Sequence, residues 1–293
     1  MRLVKIRKTI CLTATESHIM SGMRKKITVP DLEQRRFQGP PISMLTCYDA
    51  AFASLLDECE VDALLVGDSL GMVLQGHNTT IPVTIEQMEY HTSSVARAKP
   101  KSLIVADMPF ASYHESPEQA FKNAAKLIAA GAQMVKLEGG EWLAPTVEFI
   151  SRRGVPVCAH LGLTPQSVHD LGGYRVQGRD SESALKIERD AKALESAGAR
   201  MLVLELVPAD LAAAITQSLN IPTIGIGAGA ATTGQVLVLH DMLGITPGKR
   251  PRFVKNFLAN SGSVASAVKQ YVAEVQARSF PSEEHSVLEL VSL

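Results

Sequence analysis

Cysteine, tryptophan and long apolar runs are scarce in this sequence of 293 residues. The four cysteines show no C-x-x-C spacing, so neither a disulfide framework nor a zinc finger is expected, and a reducing cytoplasm is the simplest location. No apolar run approaches the roughly 20 residues that span a bilayer. The net charge is −1, and no basic excess is found beyond the N-terminus, which argues against nucleic acid as a partner. The composition is otherwise that of a folded globular protein.

The first 22 residues differ from the rest of the chain. They contain four basic residues and one acidic residue, and their apolar residues follow no clear period. The apolar part around residues 10–14 is too short and too polar for a secretory signal. We therefore expect residues 1–22 to be an N-terminal extension, either disordered or the product of an upstream start codon. Residues 23–293 are expected to form one catalytic domain.

From residue 40 onward, short runs of β-branched and apolar residues alternate with stretches typical of helices. The chain after the extension leaves about 34 residues for each of eight such units, which is the size of a strand followed by a helix. Runs that are apolar on both faces predict a parallel sheet covered by helices. The predicted strands are residues 42–47, 63–67, 102–107, 133–138, 155–160, 200–206, 222–226 and 235–240.

Capping signals mark the start of two predicted helices. Thr84 with Gln87, and Ser116 with Gln119, have the spacing of the capping box. Pro117 then falls at the first helical position, where proline is favoured. These signals place helices immediately before the third and fourth strands.

A segment of similar sequence recurs along the chain. Residues 127–138 read LIAAGAQMVKLE, residues 194–205 read LESAGARMLVLE, and residues 61–68 read VDALLVGD. Each combines a turn, a strand and a carboxylate at the carboxyl end of that strand. Eight parallel units without a dinucleotide-binding fingerprint favour a closed (β/α)8 barrel over an open doubly wound sheet.

Acidic residues end four of the predicted strands. Asp68, Asp107 and Glu138 follow the second, third and fourth strands, which are neighbours in a barrel, so they should cluster at the mouth where barrel enzymes have their active sites. Any one of them alone is more readily explained as a helix cap. Together, the like charges repel and require a cation or a shared proton, and oxygen donors without a thiolate suit Mg²⁺.

Four further residues complete the candidate site. Lys136 lies two residues before Glu138 and faces the same side of the barrel, where it could neutralise the acids or hold a substrate carboxylate. Glu205 ends the sixth strand, away from the three acids, and is placed as a general base or as a helix cap. His160 ends the fifth strand as a proton shuttle, a substrate ligand or a core histidine. Ser69 could bind a substrate carboxylate.

Two long connections and a glycine run also follow predicted strands. Residues 70–83 and 162–179 exceed the usual length of loops in such units, which predicts lids or binding loops. The sequence GIGAG at residues 225–229 follows the seventh strand, where barrels often bind an anion, and close helix packing explains it equally well.

Several ordered motifs resemble the ketopantoate hydroxymethyltransferase family, and the resemblance runs from about residue 26 to residue 285. The motifs are Tyr48-Asp49-Ala50, VGDSLGMVLQGH (66–77), ADMPF (106–110), VKLEGGEW (135–142), CAHLGLTPQSV (158–168), GGYRVQGR (172–179), IGIGAG (224–229) and KNFL (255–258). The chain departs from the family pattern at Ala230 and Thr233, near residues expected to contact the pterin. Residues 1–22 have no counterpart in that pattern.

The resemblance implies a fold, an activity and a set of site residues. The fold is a (β/α)8 TIM barrel of the phosphoenolpyruvate/pyruvate type with one Mg²⁺ per subunit. The activity is hydroxymethyl transfer from 5,10-methylenetetrahydrofolate to 3-methyl-2-oxobutanoate, which gives 2-dehydropantoate for pantothenate biosynthesis. Bacterial members assemble as decamers, so a cytoplasmic homodecamer is expected. By motif, the metal site is Asp68, Asp107 and Glu138, the 2-oxo acid site is Asp68, Ser69, Asp107 and Lys136, and the proton acceptor is Glu205.

These implied roles agree with what the chemistry requires. A 2-oxo acid chelated to Mg²⁺ would form a stabilised enolate when Glu205 removes its C3 proton. One alternative is another Mg²⁺-dependent lyase or mutase acting on pyruvate-like acids, and a second is a barrel that binds a metabolite without turnover. The lyases and mutases should carry a cysteine or a second base on a mobile loop, whereas residues 70–83 and 162–180 contain no cysteine.

Overall fold

Eight parallel strands close into a barrel in the computed structural model, which describes residues 24–248 and 250–287. Each strand pairs with the next in chain order, and the last pairs with the first. All eight overlap the predicted strands, so the closed parallel barrel is confirmed. The strands are β1 Ile42–Thr46, β2 Ala63–Val66, β3 Leu103–Asp107, β4 Met134–Glu138, β5 Val157–Gly162, β6 Met201–Glu205, β7 Thr223–Ile226 and β8 Gly234–Leu237.

Helices surround the barrel and close one of its ends. Four short 3₁₀ helices accompany them at Glu141–Leu143, Pro165–Ser167, Leu258–Asn260 and Glu283–His285. The α-helices of the described residues are α1 Val29–Gln34, α2 Ala50–Glu58, α3 Leu70–Val73, α4 Ile85–Arg97, α5 Pro117–Ala130, α6 Ala144–Ser151, α7 Ser181–Ser196, α8 Ala209–Ser218, α9 Leu239–Met242 and α10 Val264–Gln276.

The predicted capping boxes are present in full on α4 and in part on α5. Thr84 and Gln87 exchange both hydrogen bonds at the start of α4. On α5 the Ser116 hydroxyl accepts from the Gln119 amide, and Pro117 occupies the first position. The Gln119 side chain, however, accepts from the amide of Glu115, one residue further out than a capping box requires.

The helix at the amino end of the barrel has no counterpart among the sequence predictions. Val29 and Leu32 of α1 are buried in one apolar cluster with residues that begin the strands, among them Ile42, Ala63 and Leu103. Helix α1 therefore closes the bottom of the barrel. The second apolar cluster lies between the strands and the outer helices, so the carboxyl ends of the strands are left for a site.

Strand β5 extends two residues beyond its predicted end at His160. Gly162 pairs with Glu205, and the amide of Leu163 donates to the Glu205 carbonyl at 2.8 Å. Gly162 has φ +91°, and a Cβ at this position would lie 2.1 Å from that carbonyl oxygen, so only glycine allows the approach. The prediction that His160 ends its strand was wrong, because this close pairing prolongs the strand.

The closing end of the barrel departs from eight equal strand–helix units. Residues 227–233 join β7 directly to β8 and contain no helix. Gly227 and Gly229 have φ of +64° and +79°, and a Cβ on Gly229 would lie 2.7 Å from that of Ala209 at the start of α8. Close packing, the second of the two explanations weighed for this glycine run, is confirmed at Gly229, and anion binding stays a prediction.

The predicted N-terminal extension, residues 1–22, lies outside the described residues, as does Cys11. The other cysteines, Cys47, Cys59 and Cys158, are free and buried. Within residues 24–248 and 250–287, no helix combines the length and apolar character needed to cross a membrane.

Candidate active site

One cavity of about 900 Å³ opens at the carboxyl ends of the strands. Both long connections contribute to its walls, through Met72 and Thr80 from residues 70–83 and through Tyr174 from residues 162–179. The structure brings every predicted site residue together there. These residues are Asp68, Ser69, Asp107, Lys136, Glu138, His160 and Glu205.

Lys136 lies at the floor of the cavity between two carboxylates. Its Nζ is 2.7 Å from Asp107 Oδ1 and 3.4 Å from Glu138 Oε1, and only 5% of the side chain is exposed. Burial opposes the charged form, but Asp107, Glu138 and Asp68 outweigh it and raise the pKa of Lys136 well above its usual value. Lys136 is therefore a fixed positive charge, positioned by the two-residue period of β4 that also places Glu138.

Asp68 is a buried acid held among other acids. Its amide donates to Asp107 Oδ2 at 3.1 Å, and its carboxylate accepts from the Gln166 side chain at 2.8 Å. Burial and the charges of Asp107 and Glu138 raise the pKa of Asp68 well above its usual range. Like charges confined to a buried site produce this effect, and here they and burial outweigh the opposing charge of Lys136.

His160 connects the acid cluster to Glu205. Its Nδ1 lies 3.1 Å from Glu138 Oε1 and its Nε2 lies 3.2 Å from Glu205 Oε2. Burial and Lys136 oppose protonation, but Glu138 and Glu205 outweigh them and raise the pKa of His160 to about 9. The sequence left three roles open for His160: proton shuttle, substrate ligand or core histidine. Its contacts with Glu138 and Glu205 argue against a core histidine that has no link to the site.

Ser69 lies at the side of the cavity next to Asp68. Its hydroxyl is 3.0 Å from that of Tyr48, a residue of the Tyr48-Asp49-Ala50 motif. Tyr48 is buried, and burial raises the pKa of its phenol well above the usual value. The phenol therefore stays protonated and can hold the Ser69 hydroxyl in place.

Two site residues, Gln166 and Tyr113, were missed by sequence reasoning. The Gln166 backbone amide donates to Glu138 Oε2 at 3.0 Å, and the Tyr113 hydroxyl donates to Gln166 Oε1 at 2.6 Å. Both residues are buried. A glutamine in a connection and a tyrosine in a turn follow no period that would mark them, although Gln166 does stand in the CAHLGLTPQSV motif.

The charges and donor atoms of the cavity suit a divalent cation. Around Lys136 and His160, the carboxylates of Asp68, Asp107, Glu138 and Glu205, when ionised, exceed the two positive charges of Lys136 and protonated His160 by two. Within the described residues, no three acidic, imidazole or thiol side chains are already arranged as a complete metal site. Carboxylates with an excess negative charge are the donors that Mg²⁺ prefers, often with water and substrate completing its shell. The residues present therefore fit this ion.

The model of the family described as ketopantoate hydroxymethyltransferase matches residues 26–283. The chain belongs to this family. A 3-methyl-2-oxobutanoate hydroxymethyltransferase of Azoarcus sp. (strain BH72) is 61% identical over 262 residues, which cover 89% of this chain and 97% of the relative. The 3-methyl-2-oxobutanoate hydroxymethyltransferase 1 of Burkholderia cenocepacia (strain HI2424) is 58% identical over 270 residues, covering 92% and 99%. The resemblance found in the sequence is confirmed.

Solved structures at low identity show the same barrel. Phosphonopyruvate hydrolase in complex with oxalate and Mg²⁺ matches with a TM-score of 0.56 at 13% identity, covering 88% of this chain and 93% of that chain. The 2,3-dimethylmalate lyase, described as a member of the PEP mutase/isocitrate lyase superfamily, matches with a TM-score of 0.54 at 15% identity, covering 74% and 83%. These matches confirm the phosphoenolpyruvate/pyruvate-type fold and carry no activity over to this ketopantoate hydroxymethyltransferase family member.

The two departures from the family pattern lie away from the cavity floor. Thr233 is buried beside the start of β7, where its amide and hydroxyl bond to Thr223. Neither Thr233 nor Ala230 lines the cavity. Both differences therefore lie outside the proposed catalytic and metal-site residues of this family member, and their effect on pterin contacts stays a prediction.

Proposed function

We propose that this chain transfers a hydroxymethyl group from 5,10-methylenetetrahydrofolate to 3-methyl-2-oxobutanoate, giving 2-dehydropantoate for pantothenate biosynthesis. One observation carries the proposal. In a chain that belongs to the family, Lys136, His160 and the acids Asp68, Asp107, Glu138 and Glu205 line one cavity at the carboxyl end of the barrel. The named relatives at 58–61% identity, aligned over nearly their whole length, support the same activity.

The 2-oxo acid would bind at the floor of the cavity. Its carboxylate is an anion, and Lys136 is a buried fixed cation there. The Ser69 hydroxyl, held by Tyr48, is a further donor for this carboxylate. Asp68 and Asp107, which adjoin each other, complete the substrate site through the ion that they hold.

One Mg²⁺ per subunit would be held by Asp68, Asp107 and Glu138. When bound, the ion supplies Lewis-acid stabilisation of the charge that develops on the keto oxygen during proton removal, which is worth several kcal/mol in comparable sites. The protein contributes the excess negative charge that attracts the ion. Glu138 supports the site through Lys136 and His160, its neighbours in the cavity.

Glu205 is the proposed base that removes the C3 proton. Its carboxylate is 14% exposed at the side of the cavity and 3.2 Å from His160 Nε2, on the opposite side of the imidazole from Glu138. A protonated His160 places a positive charge beside the Glu205 carboxylate. Glu205 would then hold the substrate proton while the C3 carbon attacks the one-carbon unit of the folate.

The upper part of the cavity would hold the folate. A volume of about 900 Å³ far exceeds what a five-carbon acid fills and falls in the range of sites for drug-sized ligands. Tyr174 and Phe253 line the cavity and offer flat surfaces to a pterin ring. Arg179 and Arg252 line it as well, and they are suited to the carboxylates of a glutamate tail.

A cytoplasmic location and a homodecamer are also proposed for this protein. The free thiols of the described cysteines agree with a reducing compartment. Phe110 and Trp142 are 43% and 58% exposed and lie in one group of rings around His114, as expected of side chains that a neighbouring subunit covers. Light scattering tests the decamer by comparing the particle mass with ten times 31.5 kDa.

The decisive experiment separates the base from the rest of the site. The wild type, with Mg²⁺ and 3-methyl-2-oxobutanoate in D₂O, should exchange the C3 proton, and with methylenetetrahydrofolate it should form product. Glu205→Gln should reduce exchange by about 10²–10⁴-fold, the usual contribution of a general base, while the affinity for the keto acid is retained. Glu182→Gln, an exposed change in the first turn of α7, is the matched control. Undiminished exchange in Glu205→Gln would exclude this base, and a wild type without product would exclude the activity.

A further inference from the structure

Gln166 is a buried polar residue that contacts the acids of the cavity from behind, and neither the strand-end pattern nor the resemblance assigned it a role. Only 4% of its surface is exposed. Its backbone amide donates to Glu138 Oε2 at 3.0 Å. Its side-chain nitrogen donates to Asp68 Oδ2 at 2.8 Å and to the carbonyl of Met108 at 2.9 Å. One residue therefore holds two of the three acids proposed for the metal site.

The orientation of the Gln166 amide is determined by its partners. The Tyr113 hydroxyl accepts from the Glu138 amide at 3.1 Å, and its proton faces two acceptors, of which Gln166 Oε1 at 2.6 Å is nearer than the Glu138 carbonyl at 3.1 Å. With the carbonyl oxygen engaged in this way, both protons of the side-chain nitrogen face oxygen acceptors. A carboxylate at this position would repel Asp68, and an apolar side chain would leave two buried acceptors without a donor.

We propose that Gln166 is a positioning residue that orients the carboxylates of Asp68 and Glu138 for a divalent cation. Because Gln166 belongs to residues 162–179, the same contacts attach this connection to the acid cluster. Tyr113 acts one step further out by fixing the direction of the Gln166 amide. The inference deepens the proposed function, on which it rests, but binding of the ion can be measured with no substrate present.

The expected effect follows from the behaviour of residues that orient metal ligands. Carboxylates that lose such a partner regain rotational freedom, and the affinity for the metal falls by about 10- to 100-fold. A residue that only packs the connection would change the melting temperature of the metal-free protein and leave the affinity unchanged. Metal affinity and apo-protein stability therefore distinguish the two roles.

The experiment measures Mn²⁺ binding to chelator-treated full-length protein by the electron paramagnetic resonance signal of the free ion. Gln166→Met keeps the length of the side chain without its donors, and it should weaken Mn²⁺ binding by about 10- to 100-fold. Gln166→Glu should bind no better than Gln166→Met if it carries a charge beside Asp68. Gln119→Met, which removes a partly exposed amide on α5, is the matched control and should bind as the wild type does.

Two further measurements keep the proposal falsifiable. Should Gln166→Met fail to fold, Tyr113→Phe removes the hydroxyl that donates to Gln166 Oε1 and accepts from the Glu138 amide, and it should weaken binding by at least about fivefold, the equivalent of one neutral hydrogen bond. In the exchange assay, excess metal should restore most of the C3 proton exchange that Gln166→Met loses. Wild-type affinity in a folded Gln166→Met, or in Tyr113→Phe, would overturn the proposal. A failure of the proposed function is distinct, since wild-type protein would then bind Mn²⁺ and form no product.

Discussion

Burial determines how reactive the individual cysteine thiols of this barrel are. Cys47 and Cys158 are fully buried, and burial raises the pKa of each thiol to about 12. At pH 8, roughly 1 in 10,000 of these thiols is ionised, about 1,000-fold fewer than at a pKa of 9, and only the thiolate reacts. We expect both to resist iodoacetamide at pH 8 in the native protein and to react in guanidinium chloride. Peptide mass spectrometry, which resolves Cys11 separately, measures this, and rapid native labelling of Cys47 or Cys158 would contradict the burial.

For single residues, the sequence predicted the charged side chains of the site, but it did not predict the uncharged residues that hydrogen-bond to them. Asp107, Lys136 and Glu138 could be predicted because position relative to a strand end and a two-residue period determine where such side chains face. Gln166 and Tyr113 act through contacts between segments 53 residues apart in the chain, and no local pattern encodes such contacts.

At the scale of elements, the pairing of β5 with β6 positions the proposed base. Gly162→Ala would place a Cβ 2.1 Å from the Glu205 carbonyl oxygen and 2.8 Å from Val207 Cγ1, so the end of β6 must move. A displacement near 1 Å costs about 10²-fold in rate, and we expect C3 exchange to fall by this amount with little change in keto acid affinity.

Gly154→Ala is the matched control for this displacement. Gly154 also has a positive φ, +86°, but a Cβ there meets nothing within 4 Å. It should therefore lower stability by about 1–2 kcal/mol through backbone strain and leave exchange almost unchanged. Equal exchange rates in Gly162→Ala and Gly154→Ala would show that strain alone, and not the position of Glu205, explains any loss.

Helix α1 offers a prediction about stability alone. Leu32 is 1% exposed in the cluster that fills the bottom of the barrel, far from the cavity. Leu32→Ala should lower the free energy of unfolding by about 2–5 kcal/mol, as for other buried leucines. Leu185→Ala, at a leucine 65% exposed on α7, should change it by less than about 0.5 kcal/mol. Urea unfolding of both variants measures the difference, and similar values would contradict the role of α1 as a closing element.

The strands could be predicted where the sequence is repetitive and apolar. Their ends were harder to predict where a close contact between neighbouring strands determines the last residue. The eight strands could be located because each is an apolar run buried on both faces. The end of β5 could not, because it depends on how near β6 approaches Gly162. The missing helix between β7 and β8 and the short α1 reflect the closure of the whole barrel, which no single segment reveals.

At the scale of the whole molecule, closure of the barrel brings residues that are far apart in the sequence close together in space. Residues from all eight strands meet in one cavity because parallel strands all end on the same side. This geometry allowed the candidate site to be predicted from chain order alone. The bridge made by His160 was not predicted, since Glu205 was expected to stand apart from the three acids, whereas it lies 3.2 Å from an imidazole that also contacts Glu138.

The boundary of the domain gives a prediction for the entire chain. Arg24 donates to the Asp57 carboxylate at 3.0 Å and to the Val61 carbonyl at 2.7 Å, so the barrel already makes contacts at this residue. A chain beginning at Met23 should keep the melting temperature and the exchange rate of the full chain. Within that chain, Arg24→Ala should cost about 1.5–3 kcal/mol of stability, since it removes charge-assisted hydrogen bonds. Thermal unfolding and C3 exchange measure both, and loss of either property in the chain from Met23 would assign residues 1–22 a part in the domain.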